Sequence, residues 1–395
     1  MNKADGFKRI IKYAIILAAD IYMSKQRSNP GLKVALIHDW LTGMRGGEKV
    51  LAEIVKIFPQ ASLFTLLHIP GSATEDIERL EIHESFISRL PFAKSRYRNY
   101  LPLFPAAVES FDLRDYSLII SSSHCVAKGA LPSAGAKHLC YIHTPMRYAY
   151  DMFHEYFPSE TTGWMKRFII YKEMAKLRTW DQASNNRVDA FAANSGFVAQ
   201  RVKRYYGREA QIVHPPVDTE FYQPGDGGKS DFHLIVSALE PYKRIDIAIE
   251  AFKKSGRLLK IIGDGSQYKH LKKSAGRNIA FEGKIPDSDV REMYRKARGF
   301  IFPGVEDFGI TLVEAQASGT PVIAFRAGGA LETVIEDKTG IFFQEQTPEA
   351  LDNAIDKADK MTFNEKEMRR NSLKFSKDAF RKNFISFLKK NGVSI

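Results

Sequence analysis

Two glutamates, Glu306 and Glu314, lie eight positions apart where a strand, a loop and a helix are expected to follow one another. The helix is predicted to begin near Ile310, which places Glu306 on the loop and Glu314 about one turn inside the helix. The free N–H groups of a first helical turn bind anions, and the helix dipole strengthens that site. Gly309 would let a ligand approach the backbone closely. The segment therefore predicts an anion site flanked by two carboxylates.

Two adjacent cations, Lys243 and Arg244, follow another predicted strand after a short loop. A lysine offers a compact positive charge and an arginine a planar fork of donors, and both suit phosphate oxygens. A solvated surface pair is the alternative interpretation of both residues.

A histidine, His143, comes directly after the predicted strand 137–142. A histidine in this position is commonly structural, or it can form a hydrogen bond with a substrate hydroxyl. Arg147 and Tyr148 follow it closely and are candidates for contact with an acceptor or with the transferred sugar.

A glycine-rich loop, 39–48, joins the first predicted strand to a helix and contains Gly43, Gly46 and Gly47. It is not a P-loop, because no Gly-Lys-Ser/Thr follows, and its glycines miss the spacing of the dinucleotide fingerprint. Taken alone, these glycines are most simply explained as turn formers.

The string 302–321, which contains both glutamates, resembles the signature of family 4 glycosyltransferases, retaining enzymes of the GT-B fold. The resemblance implies that Glu306 contacts hydroxyls of the transferred sugar and that Glu314 binds the ribose of the nucleotide. It also implies that the backbone amides of 309–312 hold the sugar and the diphosphate. The alternative is a capping glutamate followed by an exposed helical glutamate.

The segment 236–246 resembles the Arg-x4-Lys diphosphate clamp of the same family, with Lys243 as the lysine. Ala238 stands at the position of the arginine, so one cation is missing, and Arg244 is the candidate to replace it. The string that follows His143 is similar to a mannosyltransferase subgroup that makes O-antigen and other surface polysaccharides. This likeness implies that His143 binds the donor sugar near its anomeric centre.

Further loops extend the resemblance across residues 33 to 390. In the family, Gly46 and Gly47 would face the donor phosphates, the loops of Gly263 and Lys284 would pass the nucleobase, and Ser195 is a candidate contact beside the cleft. The resemblance implies three catalytic residues, Glu306, His143 and Lys243. The implied donor-binding residues are Gly46, Gly47, Arg244, Gly263, Lys284, Phe308, Gly309, Ile310, Thr311, Leu312 and Glu314, and the acceptor or sugar contacts are Arg147, Tyr148 and Ser195.

The elements that must position these residues alternate between short apolar runs and helical stretches, as expected of parallel α/β sheets. A turn-rich segment near 215–230 separates two such series. We expect a GT-B fold, with two Rossmann-like domains facing across a cleft and a C-terminal helix that returns to the N-terminal domain. The predicted parts are an N-terminal amphipathic extension 1–31, an acceptor domain 32–218, a donor domain 219–365 and the returning helix 366–395.

The chain has 395 residues, more than one hydrophobic core usually supports, and a formal net charge of +12. A basic balance favours anionic partners, but no nucleic-acid-binding signature accompanies it, so we predict no nucleic acid. The two cysteines, Cys125 and Cys140, form no metal or redox pattern, and cytoplasmic localisation is expected. Asp287 and Asp289 resemble a metal-binding Asp-x-Asp but open a helical stretch, where capping explains them. The resembled family is metal-independent, so we predict no cofactor and no metal.

The N-terminal segment 10–22 is apolar at helical spacing and has basic neighbours, among them Lys8, Arg9 and Lys12. Its apolar run is far shorter than the ~20 residues that span a bilayer. Peripheral contact with the inner face of an anionic membrane is therefore one interpretation. A helix packed on the globular body and a cleaved or spanning segment are the alternatives.

Together these features predict a retaining hexosyltransferase that uses a nucleotide-sugar, with GDP-mannose favoured over UDP-sugars as donor. The expected acceptor is a lipid-linked saccharide in surface polysaccharide or glycan synthesis. Two other classes stay open. An epimerase-like or phosphorylase-like GT-B enzyme would lack the spacing of Glu306 and Glu314. A non-catalytic nucleotide-sugar-binding protein is favoured only by Ala238.

Overall fold

The computed structural model describes residues 32–157 and 163–394 of the chain. They form two sheets in which every pairing is parallel. The predicted extension 1–31 lies outside the described residues. Among the described residues, no helix is long and apolar enough to cross a membrane.

The first sheet has seven strands in the order β3-β2-β1-β4-β5-β6-β7. Its central strand β1 is buried along its whole length, as expected of a parallel strand covered by helices on both faces. The strands are β1 Val34–His38, β2 Ser62–Thr65, β3 Glu81–Glu84, β4 Leu118–Ser123, β5 Lys137–Ile142, β6 Ala190–Ala193 and β7 Ala210–Ile212.

The second sheet has six strands in the order β10-β9-β8-β11-β12-β13. In both sheets the strand order reverses beside the first strand of the series, which is the topology of a Rossmann-like fold. The strands are β8 Phe232–Val236, β9 Leu258–Ile262, β10 Ile279–Gly283, β11 Gly299–Phe302, β12 Val322–Phe325 and β13 Gly340–Phe343.

Helices cover both sheets. The first series is α1 Gly46–Ile57, α2 Glu75–Glu78, α3 Ala93–Arg96, α4 Phe104–Glu109, α5 Phe153–Tyr156, α6 Trp164–Ser184 and α7 Gly196–Tyr206. The second series is α8 Ile245–Ser255, α9 Tyr268–Ser274, α10 Asp287–Lys296, α11 Ile310–Ala317, α12 Ala330–Thr333, α13 Pro348–Asp359, α14 Glu365–Leu373 and α15 Lys377–Lys390. Short 3-10 helices cover Phe86–Arg89, Tyr97–Leu103, Ala127–Gly129, Asn185–Arg187 and Pro241–Lys243.

The last helix, α15, returns to the first sheet, which confirms that part of the predicted fold. Phe380, Phe384 and Phe387 are buried in the same core cluster as β1 and β5. Arg381 also reaches Glu53 of α1, with 2.5 Å between Nη1 and Oε2. The returning helix therefore completes the hydrophobic core of the N-terminal domain.

The predicted returning helix 366–395 is broken into two helices, α14 and α15. Val217 N–H donates to the carbonyl oxygen of Phe375 at 2.8 Å, and this pairing occupies the backbone between α14 and α15. Helix α14 stays with the second sheet, because Asn371 Nδ2 donates to Gln316 Oε1 at 2.8 Å. The return to the first domain thus begins at Lys377 rather than at the predicted 366.

Candidate active site between the two sheets

The predicted catalytic residues lie at the carboxyl ends of parallel strands, the edge where α/β folds place their ligands. His143 follows β5 of the first sheet, whereas Glu306 follows β11 of the second. Lys243 ends the 3-10 helix Pro241–Lys243, which comes after β8, the strand that pairs with β11. Contacts between the two domains bring these three strand ends to one cleft.

Two helices begin at this cleft and point their N-termini at each other. Gly46 is the first residue of α1 and Ile310 the first of α11. A Cβ atom on Gly46 would lie 3.1 Å from Ile310 Cδ1, which shows how closely the two helix ends approach each other. Gly309, which precedes α11, has a φ of 83°, a conformation suited to glycine. The cleft is thus lined by the positive ends of two helix dipoles, which favours a ligand with two phosphates.

Glu306 forms an ion pair with Lys243 through Oε1, and its other oxygen lies 3.6 Å from Arg147 Nη2. Arg147 comes from the first domain and packs its guanidinium 5.5 Å from the ring centre of Tyr242. The side chains of Glu306, Lys243 and Arg147 are each less than a fifth exposed. One carboxylate is therefore held between a lysine of its own domain and an arginine of the opposite one.

Burial and the nearby Arg147 guanidinium lower the pKa of Lys243 to about 7, although the Asp307 and Glu240 carboxylates raise it. A lysine with this pKa loses part of its charge near neutral pH. A phosphate brought next to it would favour the charged form and raise the pKa again. The site is therefore electrostatically suited to an added anion.

Asp307, the next residue after Glu306, joins the two domains. Its Oδ2 accepts hydrogen bonds from Arg147, with Nε at 3.1 Å, and its Oδ1 accepts one from Arg201 Nη1 at 3.0 Å. Arg201 also donates to Asp151 Oδ1 and to Thr144 Oγ1, each at 2.5 Å. Since Arg201 alone can keep Asp307 paired, Arg147 can reach a ligand without leaving a buried carboxylate uncompensated.

His143 is partly buried, and its low pKa keeps it neutral. Burial and the neighbouring rings of His124 and His38 lower the pKa of His143 to about 3. Its Nε2 lies 2.8 Å from Ser122 Oγ, which is also 3.1 Å from His38 Nδ1. The backbone of Gly47 covers this ring, since a Cβ there would lie 3.6 Å from Nε2. The side chain is thus fixed as an uncharged hydrogen-bonding group beside the N-terminus of α1.

Asp39, which directly follows β1, holds the adjacent loop. Its carboxylate accepts four hydrogen bonds of 2.7 to 2.9 Å from the backbone N–H groups of residues 124–127. His124 Nδ1 lies 3.0 Å from Oδ2 and lowers the pKa of Asp39, against the effect of complete burial. This buried charge fixes the loop that carries His124 beside His143.

Glu314, the predicted ribose ligand, is buried on α11. Its Oε1 accepts a hydrogen bond from Lys49 Nζ at 3.2 Å, and its Oε2 accepts one from the Tyr294 hydroxyl at 3.3 Å. The Glu314 carboxylate raises the pKa of Lys49. Lys49 belongs to α1, so this pair also spans the cleft.

Several predicted contacts lie elsewhere or have structural partners. Arg244 is partly exposed, has a φ of 52° and pairs with Asp246, with 3.3 Å between Nε and Oδ1, so its side chain is not directed at Glu306 in this state. Lys284 is exposed after β10. Gly263 is needed for packing, since a Cβ there would lie 1.9 Å from the carbonyl oxygen of Ser237.

Two predictions in the first domain also acquire a structural explanation. Ser195 is buried and caps α7, where its hydroxyl accepts a hydrogen bond from Val198 N–H at 3.1 Å. The hydroxyl oxygen of Tyr148 lies 3.0 Å from Cys125 Sγ, and burial raises the pKa of that tyrosine. Neither hydroxyl is therefore free to bind a sugar in this arrangement.

The remaining donor-binding predictions lie on the loop before α11 or in its first turn. Phe308 packs against His214 and Phe375, with ring centres 5.5 and 5.4 Å apart, so it is a domain-joining side chain. Thr311 and Leu312 belong to the first turn of α11, and the N–H of Leu312 donates to Gly309. The other first-turn amides face the cleft end of the helix.

Three site residues could not be identified from the sequence: Lys49, Asp307 and Arg201. Asp307 lies inside the recognised motif, but its role depends on arginines of the other domain. The one sequence feature that could have indicated Lys49 is its position just after Gly46 and Gly47, at the start of α1. Each becomes visible only when the two sheets are placed opposite each other.

No group of three or more histidine, cysteine or acidic side chains in the described part of the chain has the geometry to hold a metal ion. Asp287 and Asp289 lie in the first turn of α10, where the helix dipole stabilises them. The N-cap residue is Pro286 and no side chain caps this helix, so the helix dipole accounts for the two aspartates and the expected capping does not.

Comparison with protein families adds an independent finding. The model described as Glycosyltransferase Family 4 matches residues 44–221, and the model described as Glycosyl transferases group 1 matches residues 217–375. The two matches adjoin at the boundary between the two sheets and together cover most of the chain. Over both of its domains, the chain is therefore similar to family 4 glycosyltransferases.

Individual relatives agree with this assignment. An uncharacterized glycosyltransferase of Methanocaldococcus jannaschii is 30% identical over 193 residues, covering 47% of this chain and 54% of that protein. A GDP-mannose-dependent alpha-(1-6)-phosphatidylinositol monomannoside mannosyltransferase of Mycolicibacterium smegmatis is 29% identical over 209 residues, covering 45% of this chain and 55% of that protein. The chain thus spans about half the length of the curated relatives it matches.

The fold of this chain is also found among solved structures. The Anabaena protein HepE, in complex with UDP and glucose, superposes with a TM-score of 0.67 at 16% identity. The match covers 90% of this chain and 99% of that one. At this identity the likeness supports the two-domain GT-B fold, which the sequence predicted, and no more.

Proposed function

We propose that the protein is a retaining, metal-independent glycosyltransferase that moves a hexose from a nucleotide-sugar to an acceptor hydroxyl. The observation that carries this proposal is the meeting of Glu306, Lys243 and Arg147 beside the N-termini of α1 and α11. Positive groups surround the place for a diphosphate, and one carboxylate is available for sugar hydroxyls. That arrangement suits a reaction in which a sugar leaves a diphosphate.

In the proposed reaction, the bond between the anomeric carbon and a diphosphate oxygen breaks. Lys243, Arg147 and the first-turn amides of α11 stabilise the negative charge that develops on the diphosphate. The acceptor oxygen forms its bond to the anomeric carbon on the face that the diphosphate leaves. Its proton passes to the leaving diphosphate oxygen, so no protein nucleophile is required.

Donor binding would separate the ion pair of Lys243 and Glu306. The lysine would turn to the phosphate, and the carboxylate would accept hydrogen bonds from sugar hydroxyls. His143, neutral and fixed through Ser122, would offer a hydrogen bond near the anomeric centre without repelling the positive charge that develops on the sugar. Glu314 would hold the ribose hydroxyls, with Lys49 keeping it in place from α1.

For the donor, we propose GDP-mannose, with UDP-sugars as the alternative. The mannosyltransferase relative and the string after His143 support mannose, whereas the fold neighbour bound to UDP keeps uridine donors open. The proposed acceptor is a lipid-linked saccharide of surface polysaccharide or glycan synthesis. The proposed location is the cytoplasm, with peripheral contact at the inner face of the membrane.

A thermal-shift panel of GDP-, UDP- and ADP-sugars in EDTA tests the class and the donor together. We expect GDP-mannose to raise the melting temperature and the other nucleotides to do so less. A UDP-sugar that stabilises more than GDP-mannose would replace the proposed donor and keep the class. Stabilisation only with added divalent metal would contradict the metal-independent mechanism.

A non-catalytic nucleotide-sugar-binding protein is the second candidate, because Ala238 leaves the clamp without its own-domain arginine. Such a protein would be stabilised in the same panel but would release no nucleoside diphosphate. Measuring that release with the stabilising donor and an acceptor extract separates the two functions.

A further inference from the structure

Helix α6 begins with a patch of large apolar side chains that face solvent. Trp164, Met165, Phe168 and Ile169 are between 60% and 79% exposed. Residues four positions apart lie above one another on a helix, so Trp164 with Phe168 and Met165 with Ile169 form two adjacent rows, here called the α6 apolar face. Large contiguous apolar surfaces on a folded protein mark places of interaction.

The same side of α6 becomes basic in the turns that follow. Lys172 and Lys176 continue the α6 apolar face by one and two turns and are exposed, and Lys166 flanks it. Lys176 pairs with Glu173 at 3.0 Å, and that glutamate is the acidic side chain closest to the lysines along the helix. A single helix side thus offers apolar groups at one end and ammonium groups at the other.

Ring contacts connect this part of the molecule to the candidate active site. Tyr171 of α6 stacks on Phe153 of α5, with 5.0 Å between ring centres. At the other end of α5, Tyr156 stacks on Tyr242 at 6.4 Å. Tyr242 in turn packs beneath the guanidinium of Arg147. The α6 apolar face therefore lies on the first-domain side of the cleft. Two ring contacts, Tyr171 with Phe153 and Tyr156 with Tyr242, connect α6 through α5 to the cleft.

We propose that the α6 apolar face and its lysines dock the protein on the surface of an anionic lipid bilayer. Tryptophan and phenylalanine enter the region between headgroups and acyl chains, while the lysines reach the phosphates of the headgroups. The occupant is an anionic surface because every lysine on this side gains from negative charge.

The charges also argue against two protein occupants. In a symmetric dimer whose two α6 helices run parallel, the lysines of one copy would meet those of the other. The extension 1–31 carries Lys8, Arg9 and Lys12, which would likewise repel Lys172 and Lys176. A bilayer with acidic headgroups has neither conflict. This consequence rests on the proposed function: docking would hold the cleft mouth against the membrane that carries a lipid-linked acceptor.

The test is cosedimentation of the full-length protein with vesicles of phosphatidylcholine alone or mixed with phosphatidylglycerol. We expect binding to the mixed vesicles and at least about a tenfold loss of affinity for the double variant Trp164→Ser and Phe168→Ser. The double variant Lys172→Glu and Lys176→Glu should lose at least about tenfold on mixed vesicles and show little change on phosphatidylcholine.

Matched controls lie on the second domain. Leu258→Ser with Leu373→Ser removes exposed apolar groups there, and Lys272→Glu with Lys273→Glu on α9 makes the same change in net charge. Both should bind vesicles as the wild type does. Wild-type protein that stays in the supernatant, or α6 variants that sediment fully, would overturn the proposal. A dimer that the Trp164 and Phe168 substitutions dissociate, without vesicle binding, would assign the face to a second copy instead.

Nucleotide-sugar affinity, measured on the same α6 variants, separates this proposal from the enzymatic one. The α6 substitutions should leave donor affinity unchanged, since none of the four residues contacts the cleft. Loss of vesicle binding with intact donor affinity supports the docking surface. Intact vesicle binding in a protein that binds no donor would remove the proposed function and leave the docking surface standing.

Discussion

The two domains present different kinds of polar structure to the same cleft. In the first, buried groups are tied to their own domain: Asp39 accepts four backbone hydrogen bonds, and Ser122 joins His38 to His143. In the second, Glu306 is held by two cations, of which one belongs to the other domain. The comparison indicates a preorganised side and a charged side whose partners can be exchanged for a ligand.

The difference has a physical origin. A carboxylate with four amide donors has no capacity left for a substrate, and moving it would leave buried donors unpaired. A carboxylate paired with a lysine can exchange that partner for hydroxyl groups while the lysine gains a phosphate. The first arrangement keeps the loop in one geometry. The second allows Glu306 and its lysine to exchange their mutual contact for contacts with a donor.

The largest effect should follow removal of the fixed group. Asp39→Ala leaves four backbone N–H groups and His124 without their carboxylate, so we expect a loss of about 3–5 kcal/mol in the free energy of unfolding. Urea denaturation of the variant measures it. Asp246→Ala, which removes an exposed carboxylate paired with Arg244, should change that free energy by less than about 0.5 kcal/mol. Equal midpoints for Asp39→Ala and the wild type would show that this side is not preorganised by Asp39.

The next effect concerns the cation that crosses the cleft. Arg147→Ala should lower kcat about 10²-fold, because one of two cations beside the leaving diphosphate is removed. Adding Ala238→Arg to this variant places a guanidinium five positions before Lys243 and should restore part of the rate. Steady-state kinetics on the single and double variants checks this.

A wild-type rate for Arg147→Ala would exclude the residue from diphosphate stabilisation. A lowered rate that Ala238→Arg fails to restore would assign Arg147 to domain docking through Asp307 instead. Arg201→Lys serves as the comparison for docking, because Arg201 binds Asp307 without approaching Glu306.

The smallest effect is on the pH dependence of donor binding. With a pKa of about 7, Lys243 is charged below that pH and progressively neutral above it in the free protein. A bound diphosphate raises this pKa, so binding takes up a proton and the Kd should rise between pH 7 and 9, by at most about tenfold per pH unit. Titration calorimetry with a nucleotide-sugar, whose diphosphate does not titrate in this range, measures it.

Lys243→Arg is the control for this dependence, because a guanidinium stays charged throughout the range. Its Kd should be nearly constant from pH 7 to 9. An affinity of the wild-type protein that stays constant or rises with pH would contradict the assigned role of Lys243.

Much of the second domain's site could be predicted because its signal is local. The strand, loop and helix around Glu306 follow one another within a few residues, and α11 begins at Ile310 as expected. The alternating runs also predicted both parallel sheets. The roles proposed for Glu306, Lys243 and His143 stay predictions, although the structure brings their side chains to one cleft.

The contacts across the cleft could not be predicted, because they depend on how the sheets face each other. Lys49 and Glu314 are 265 positions apart, and no local sequence pattern indicates that they pair. The role of Asp39 could not be predicted for a similar reason. Its carboxylate is bound by the backbone N–H groups of 124–127, which follow a different strand, β4. The break between α14 and α15 depends on Val217, a residue of the first domain.

The central claim is that Glu306 works on the donor sugar while the rest of the cleft holds the nucleotide. The most direct test is release of nucleoside diphosphate from GDP-mannose, or from the donor that the panel selects, by wild type and Glu306→Gln in EDTA. Glu349→Gln, an exposed substitution on α13, is the control. We predict that Glu306→Gln still binds the donor but forms nucleoside diphosphate from it about 10²-fold more slowly than the wild type. Release at the wild-type rate from a folded Glu306→Gln protein would contradict the claim.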